Sequence, residues 1–397
     1  MKSVDSIQLE ISVPLDPGAD HHAFFDSLPP RPAVFALFPE TPVSGPAPSR
    51  GLGTPYLSRT RDLRRRLVRL LGKPSTSSTR LNLRAVARGV AYQEVGSSFE
   101  AQWLLYILNR IYYPRTYRQR LRLKPPTVLK VNLRNRFPRC YPTRRLTHDG
   151  SLYYGPFPTR VAAERFASEF LDLFKIRRCV EDLSPDPAHP GCIYSQMRMC
   201  LAPCYGGCTD DEYQQELNHV VAFLDHDGRA LVRGLEQDRA RSADSLEFEQ
   251  AAKIHRRLEK IQDVLRLKPG LVRRLDELHA VMLQPAAQPK CVVFFRVTGG
   301  ELRGPATLSL DENVASPAPL DARLQSLLDS LHPPRPATED PRAPGPPPLW
   351  ETLHLLTRWY YSSFRAGELV MLPPGEEIPH TRLIRLCRKM LQKGTDE

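Results

Sequence analysis

The sequence predicts an α+β protein made of several domains, and three observations support that prediction. The chain of 397 residues is 41% hydrophobic and 25% charged, an ordinary globular composition with room for two to four hydrophobic cores. Strand-length apolar runs alternate with amphipathic helical runs. Five of the eight cysteines lie between Cys179 and Cys208, ahead of a long proline-free helical stretch.

The charge balance favours a polyanionic partner. The formal net charge is +12, which favours nucleic acid ahead of an acidic membrane, although an arginine-rich, GC-rich genome would give the same excess. No run of about 18 apolar residues predicts a membrane span, and the N-terminus carries no apolar signal segment. We therefore expect no membrane association and a reducing, cytoplasmic location, where clustered cysteines more often bind metal than form disulfides.

The first quarter of the chain predicts a small α/β domain. Residues 1–31 form a polar extension with one strand at Ile7–Val13. The runs RPAVFALFPE and TPYLSRT flank a Pro/Gly/Ser loop, which predicts a β-hairpin. RTRDLRRRLVRLLG then places its leucines on one helical face, and the helix FEAQWLLYILNRIYYPR ends at Pro114.

The next segment, 116–158, is the most basic part of the chain. Arginine, lysine and tyrosine interleave throughout it, which suits contact with phosphates and stacking on bases or sugars. A solvated basic strand with core tyrosines is the alternative.

The cysteine segment predicts a metal site. Four thiolates suit either an iron–sulfur cluster or tetrahedral zinc, and buried small hydrophobic residues are the alternative. Cys208 is a fifth thiol, either a bystander or an alternate ligand. The four candidate ligands, with gaps of twelve, seven and three residues, are Cys179, Cys192, Cys200 and Cys204.

The second half predicts helices followed by a further α/β portion. No proline interrupts Thr209–Lys268, where apolar residues recur every three or four positions with a break near Asp225–Gly228. KCVVFFRVTGGELRGPATLSL predicts two strands joined by a Thr-Gly-Gly turn. A proline-rich stretch at 332–348 predicts an exposed loop.

Several of these segments resemble the UvrC family, the incision subunit of bacterial nucleotide-excision repair. AVF at 33–35, YLSR at 56–59 and EAQWLL at 100–105 stand where that family's N-terminal GIY-YIG nuclease domain has its motifs. The resemblance implies metal-assisted phosphodiester hydrolysis, and the residues that keep its polar side chains are Tyr56, Arg59 and Arg66.

The departures from the nuclease motif predict that this domain does not cut DNA. Phe35 and Leu70 replace tyrosines, and Leu105 replaces the metal-binding glutamate; a leucine cannot hold Mg²⁺, whose ligands are oxygens. Glu100 lies about 140° away around the helix. We expect arginines to retain DNA contact, and the expected residues are Arg59, Arg64, Arg65, Arg66, Arg118, Arg120, Arg122, Arg134, Arg136 and Arg139.

The resemblance continues through the cysteines and into the helices. FPR at 137–139, YYGPF at 153–157 and the cysteine segment are similar to UvrC text, which implies that the four cysteines ligate an iron–sulfur cluster of the 4Fe-4S type, with zinc as the alternative. LEFEQAAKIHRRL at 246–258 resembles the UVR motif, which implies docking to a like hairpin on a UvrB-like protein. An ordinary hairpin packed on its own domain is the alternative. The expected partner-binding residues are Leu246, Phe248, Ala251, Ala252, Ile254 and Leu258.

The resemblance predicts a shortened UvrC-like protein, because the sequence ends at Glu397 before the family's RNase H-like and helix-hairpin-helix domains. We expect an accessory or regulatory DNA-binding protein of excision repair. The alternatives are an active single-incision endonuclease and a redox-responsive metal-cluster module. The expected segments are an extension (1–31), a degenerate GIY-YIG domain (32–116), a basic linker with the cysteine cluster (117–208), a helical region (209–268) with the UVR motif (240–266), and a truncated C-terminal portion (289–397).

Overall fold

The computed structural model describes residue 9 and residues 11–15, 22–40, 53–73, 80–181, 183–311, 318–331, 347–372 and 378–393. Most of the predicted proline-rich loop, 332–346, lies outside these ranges. The chain mixes helices with antiparallel sheets, as expected for an α+β protein. It divides into two compact units: unit 1 comprises residues 1–124, 279–348 and 363–397, and unit 2 comprises residues 125–278 and 349–362. Within the described ranges, no helix is long and apolar enough to cross a membrane.

Unit 1 begins with a four-stranded antiparallel sheet in the order β1-β4-β2-β3. The predicted hairpin is confirmed, with Val34 opposite Arg59. The central strand β2 is buried along its whole length, because α1 and α2 cover one face of the sheet and α3 covers the other. The elements are β1 Ile11–Pro14, α1 His22–Ser27, β2 Ala33–Phe38, β3 Tyr56–Thr60, α2 Leu63–Leu71, β4 Gly89–Glu94, α3 Ser98–Tyr112 and α4 Tyr117–Arg120.

Capping residues fix where α2 and α3 begin. The Asp62 carboxylate accepts a hydrogen bond from the Arg65 amide at 2.9 Å and starts α2. The leucines of α2 are buried, as their spacing predicted. The Ser97 hydroxyl caps α3 in the same way, accepting from the Glu100 amide at 3.0 Å.

Unit 2 packs helices on a second antiparallel sheet, in the order β6-β5-β7-β8. The predicted helical stretch contains three helices. Asp227 and Gly228 separate the first two with positive φ angles of 53° and 64°, and a Cβ on Gly228 would lie 2.7 Å from the Phe223 ring. The elements are β5 Thr127–Asn132, β6 Arg139–Thr143, β7 Leu152–Phe157, α5 Arg160–Leu171, α6 Ile193–Gln196, α7 Asp210–His226, α8 Arg229–Asp244, α9 Phe248–Leu267 and β8 Arg273–Arg274.

The remainder of the chain adds a second sheet to unit 1, in the order β11-β10-β9-β12, and one helix to unit 2. The predicted Thr-Gly-Gly hairpin is confirmed by the antiparallel pairing of β10 with β11. In unit 1, the Trp103 indole of α3 packs edge-on against Phe295 and donates to the Gly304 carbonyl at 2.9 Å. The elements are β9 Ala280–Pro285, β10 Cys291–Thr298, β11 Glu301–Ser309, α10 Leu320–Ser330, α11 Leu349–Tyr360 (the helix in unit 2), β12 Glu368–Met371 and α12 His380–Lys393.

Candidate metal centre and nucleic-acid surfaces

The four predicted ligands, Cys179, Cys192, Cys200 and Cys204, line one small pocket in unit 2, with about 270 Å³ of empty space when the part open to solvent is counted. Short elements position them. Cys192 precedes α6, and Cys204 lies in the 3-10 turn Pro203–Tyr205. Cys208 does not line the pocket, and instead packs partly against the core of the unit. The structure therefore groups the four candidates and separates the fifth thiol from them.

The four thiols share the lining of one pocket. Among the residues that the structure describes, no group of three or more histidine, cysteine, aspartate or glutamate side chains is placed to hold one metal ion. A zinc ion bonds each sulfur at about 2.3 Å, which brings neighbouring sulfurs to within about 3.8 Å of one another. In a polynuclear iron–sulfur cluster each thiolate binds an iron of its own, so the sulfurs can stand farther apart.

Hydrogen-bond donors face the pocket sulfurs. Arg177 is 1% exposed, and its guanidinium lies 3.6 Å from the Cys179 sulfur. The Ala202 amide donates to the Cys200 sulfur at 3.3 Å. Burial raises the pKa of the Cys200 thiol to about 11, so this thiol is protonated at neutral pH unless a bound metal displaces the proton. Such N–H···S contacts stabilise negative charge on metal-bound thiolates.

A buried hydrogen-bond network attaches the cysteine segment to the rest of unit 2. The Arg177 side chain donates to the carbonyl oxygens of Phe137 and Glu181, each at 2.8 Å. The Tyr213 hydroxyl on α7 accepts from the Arg177 amide at 2.9 Å and donates to the Pro138 carbonyl at 2.7 Å. Arg177 and Tyr213 were not among the predicted site residues. The only sequence indication was the basic pair before Cys179, which does not tell which arginine is buried.

The residues retained from the nuclease motif cluster at the edge strand β3. The Arg66 guanidinium donates to the Tyr56 hydroxyl at 3.1 Å, and Tyr56 packs beside Phe35 on the α2 face of the sheet. Arg59 is exposed on the same strand and donates to the Ser98 carbonyl at 3.3 Å. The structure thus brings Tyr56 and Arg66 into direct contact.

Glu100, the acidic residue of the EAQWLL segment, caps a helix. Glu100 is 7% exposed, and its carboxylate accepts from the Gly96 amide at 2.9 Å, at the N-terminal end of α3. This bond completes the cap begun by Ser97. Leu105 packs partly against the apolar cluster beneath α3 and carries no oxygen in its side chain. Glu100 is therefore engaged in holding the start of the helix.

The predicted DNA-contacting arginines differ in their exposure and in whether other residues of the chain already occupy their donor groups. Arg64 donates to the carbonyls of Leu28 and Asp26, and the exposed Arg136 forms a bidentate ion pair with Asp210 at 2.8 and 2.9 Å. Those in unit 1 are Arg59, Arg64, Arg65, Arg66, Arg118, Arg120 and Arg122, and those in unit 2 are Arg134, Arg136 and Arg139. The most exposed members are Arg59, Arg65, Arg118, Arg120, Arg122, Arg134 and Arg136.

The predicted partner-binding residues divide by burial. Leu246 and Phe248, in the turn between α8 and α9 and at the start of α9, are 72% and 66% exposed. Ile254 and Leu258 belong to the core of unit 2, while Ala251 is half-buried and Ala252 is exposed. The side chains open to a partner are thus at the turn end of the α8–α9 hairpin.

Comparison with known proteins shows which family this chain is similar to. Residues 127–223, which include the cysteine pocket and most of α7, match the family model described as the middle domain of UvrC/Cho excinucleases. Proteins named UvrABC system protein C are similar to longer stretches. The one from Syntrophomonas wolfei is 29% identical over 269 residues, 66% of this chain and 44% of that protein.

Other relatives carry the same name. The protein from Carboxydothermus hydrogenoformans is 34% identical over 129 residues, 32% of this chain and 21% of its own length. The protein from Acetivibrio thermocellus is 28% identical over 178 residues, 44% of this chain and 28% of its own length. The chain spans less than half the length of these relatives, and no solved structure matches it. The predicted relationship to the UvrC family is confirmed.

Proposed function

We propose that the chain is a DNA-binding protein of nucleotide-excision repair in which the cysteine pocket holds an iron–sulfur cluster and the GIY-YIG-like part does not cut. One observation carries the proposal: the four cysteines line a single pocket inside the segment that matches the UvrC/Cho middle domain. DNA contact rests on the exposed arginines and on a sequence without acids from Ala101 to His148.

The chemistry of the pocket supports an iron–sulfur cluster, with tetrahedral zinc as the alternative. The pocket offers four thiols, the ligand set that both groups take. The cluster would be held by Cys179, Cys192, Cys200 and Cys204. When bound, it supplies one-electron redox chemistry and joins the four cysteines through their sulfurs. Arg177 and the Ala202 amide would stabilise thiolate charge on Cys179 and Cys200.

Metal and acid-labile sulfide analysis of anaerobically purified protein tests the cofactor assignment. We expect about four irons and four sulfides per chain and a brown colour. Cys200→Ser should lose both, whereas the matched change Cys208→Ser should retain them because Cys208 lies outside the pocket. One zinc per chain without sulfide would refute the cluster and favour the zinc alternative.

A nicking assay tests the proposed loss of cutting. Supercoiled DNA incubated with the protein and Mg²⁺ or Mn²⁺ should remain supercoiled, because Leu105 offers no metal ligand and Glu100 is engaged at the helix cap. The contact between Tyr56 and Arg66 is the observation that favours the second candidate, a single-incision endonuclease. Nicking that Tyr56→Phe abolishes would establish that candidate instead.

We further propose that the α8–α9 hairpin docks on a helical partner, a UvrB-like protein. The exposed apolar side chains of Leu246 and Phe248 support this assignment, because large apolar groups in solvent commonly mark interaction sites. Phe248→Asp should abolish capture of such a partner, and the matched change His255→Asp, on an exposed side of α9, should leave it intact. Capture that survives deletion of residues 240–266 would contradict the assignment.

A further inference from the structure

Arg120, at the end of α4, is held in place from two sides. Its guanidinium lies 3.8 Å from the centre of the Tyr113 ring, and its Nε donates to the Asn109 amide oxygen at 3.1 Å. Asn109 is 3% exposed, and its own amide nitrogen donates to the Leu105 carbonyl at 2.8 Å. This second bond fixes which end of the asparagine amide faces Arg120, so the arginine is oriented by a buried neighbour.

The orientation leaves the outer part of the guanidinium for a ligand. With Nε engaged by Asn109, the two Nη groups of Arg120 have no hydrogen-bond partner among the residues that the structure describes, and the side chain is exposed. An arginine fixed against a ring presents these donors in the planar arrangement that matches two oxygens of a phosphate. Arg136 differs in this respect, because Asp210 occupies its donors.

Arg120 lies near the start of the edge strand β3. The Tyr113 hydroxyl donates to the carbonyl of Pro55, the residue that precedes Tyr56 on that strand. Tyr113 approaches the strand from the α3 face, whereas Arg66, which donates to the Tyr56 hydroxyl, approaches it from the α2 face. The guanidinium of Arg120 therefore lies on the α3 side of the start of β3.

The local charge favours an anion at this place. Residues 101–124 contain six arginines and lysines and no aspartate or glutamate. Positive charges on a surface without acids attract phosphate backbones and raise the rate of encounter with them. A neutral or cationic ligand would find no complementary charge in this segment.

We propose that Arg120 is a phosphate-binding residue which holds a DNA phosphodiester on the α3 side of the start of β3 without a divalent ion. The assignment rests on the proposed DNA-binding function and specifies the group that this part of unit 1 recognises. Leu105 stands where the family's metal-binding glutamate is expected, and its carbonyl anchors the asparagine that orients Arg120. In this proposal the fixed guanidinium supplies positive charge to the phosphate without a metal ion.

The test compares four proteins in EDTA by fluorescence anisotropy with a short labelled DNA duplex: the unaltered chain, Arg120→Ala, Arg120→Lys and the matched control Arg115→Ala. Arg115 is exposed in the same segment and is not one of the expected DNA-contacting residues, so its removal changes the net charge equally. We expect Arg120→Ala to weaken binding about tenfold or more and Arg115→Ala to weaken it about twofold to threefold, since a hydrogen-bonded charge contributes more than a distant one. Arg120→Lys should bind like Arg120→Ala, because lysine cannot keep the stack and the planar donors.

Three results would overturn the inference. Equal weakening by Arg120→Ala and Arg115→Ala would show that only net charge matters, while the DNA-binding function would stand. Full recovery in Arg120→Lys would show that a point charge suffices. Binding that appears only when Mg²⁺ replaces EDTA would show that a metal is required. Absence of DNA binding by the unaltered chain under all conditions would remove the proposed function itself.

Discussion

Arg177 provides the sharpest test of how the cysteine segment is held in place. Arg177→Ala removes two charge-assisted hydrogen bonds, a buried one to the Phe137 carbonyl and a part-buried one to the Glu181 carbonyl, each contributing about 1.5–3 kcal/mol. Relief from burying the guanidinium charge offsets part of this loss. We expect the free energy of unfolding of unit 2 to fall by about 3 kcal/mol. With a denaturant slope of about 2 kcal/mol per molar urea, the midpoint should fall by about 1.5 M.

Urea unfolding followed by tryptophan fluorescence in a Trp103→Phe background measures this shift. The two remaining tryptophans, Trp350 and Trp359, both lie on α11, so the fluorescence reports on unit 2. Arg134→Ala is the control: Arg134 is an exposed arginine of the same unit, and its loss should move the midpoint by no more than about 0.25 M. The proteins are compared at matched iron content. A midpoint for Arg177→Ala equal to that of the control would refute the argument that these buried bonds hold the segment.

Two further predictions concern unit 2. Leu258→Ala should lower the free energy of unfolding by about 2–5 kcal/mol because Leu258 is buried, whereas Phe248→Ala should change it by less than about 0.5 kcal/mol; similar melting temperatures for both would contradict the burial of the hairpin. The Lys130 ammonium holds the pKa of Asp149 well below its ordinary value of 3.8. The pair therefore stabilises the fold above about pH 4 and ceases to do so as pH falls through the lowered pKa. Asp149→Asn should accordingly be less stable at pH 7 and lose less stability between pH 5 and pH 2 in acid denaturation.

Local features of the fold could be predicted because they depend on neighbouring residues. The leucines of α2 repeat at helical spacing and are buried together. The break at Asp227–Gly228 lies where the apolar period is interrupted and φ is positive. In both cases short-range periodicity or turn chemistry determines the outcome. The choice of four of the five clustered cysteines came from the resemblance to UvrC, and these four line one pocket.

Features that depend on distant residues could not be predicted in this way. Arg177 and Arg178 are adjacent and chemically identical, yet only Arg177 is fully buried, and the buried carbonyl that accepts from its side chain belongs to Phe137, 40 residues earlier in the chain. The packing of Trp103 on Phe295 likewise joins segments far apart in sequence. Ile254 and Leu258 match the docking motif but are buried in the core of their own unit, which periodicity cannot distinguish from a partner surface.

The electrostatic consequence of leucine at position 105 links the proposed loss of cutting to the proposed DNA contact. A carboxylate at that position would repel a phosphodiester unless a divalent ion lay between them. In the proposed arrangement, the guanidinium of Arg120 acts on a phosphate without an opposing charge from position 105. On this proposal, the residue change that removes the metal ligand also removes the requirement for a metal in binding, so the same change that ends cutting favours holding.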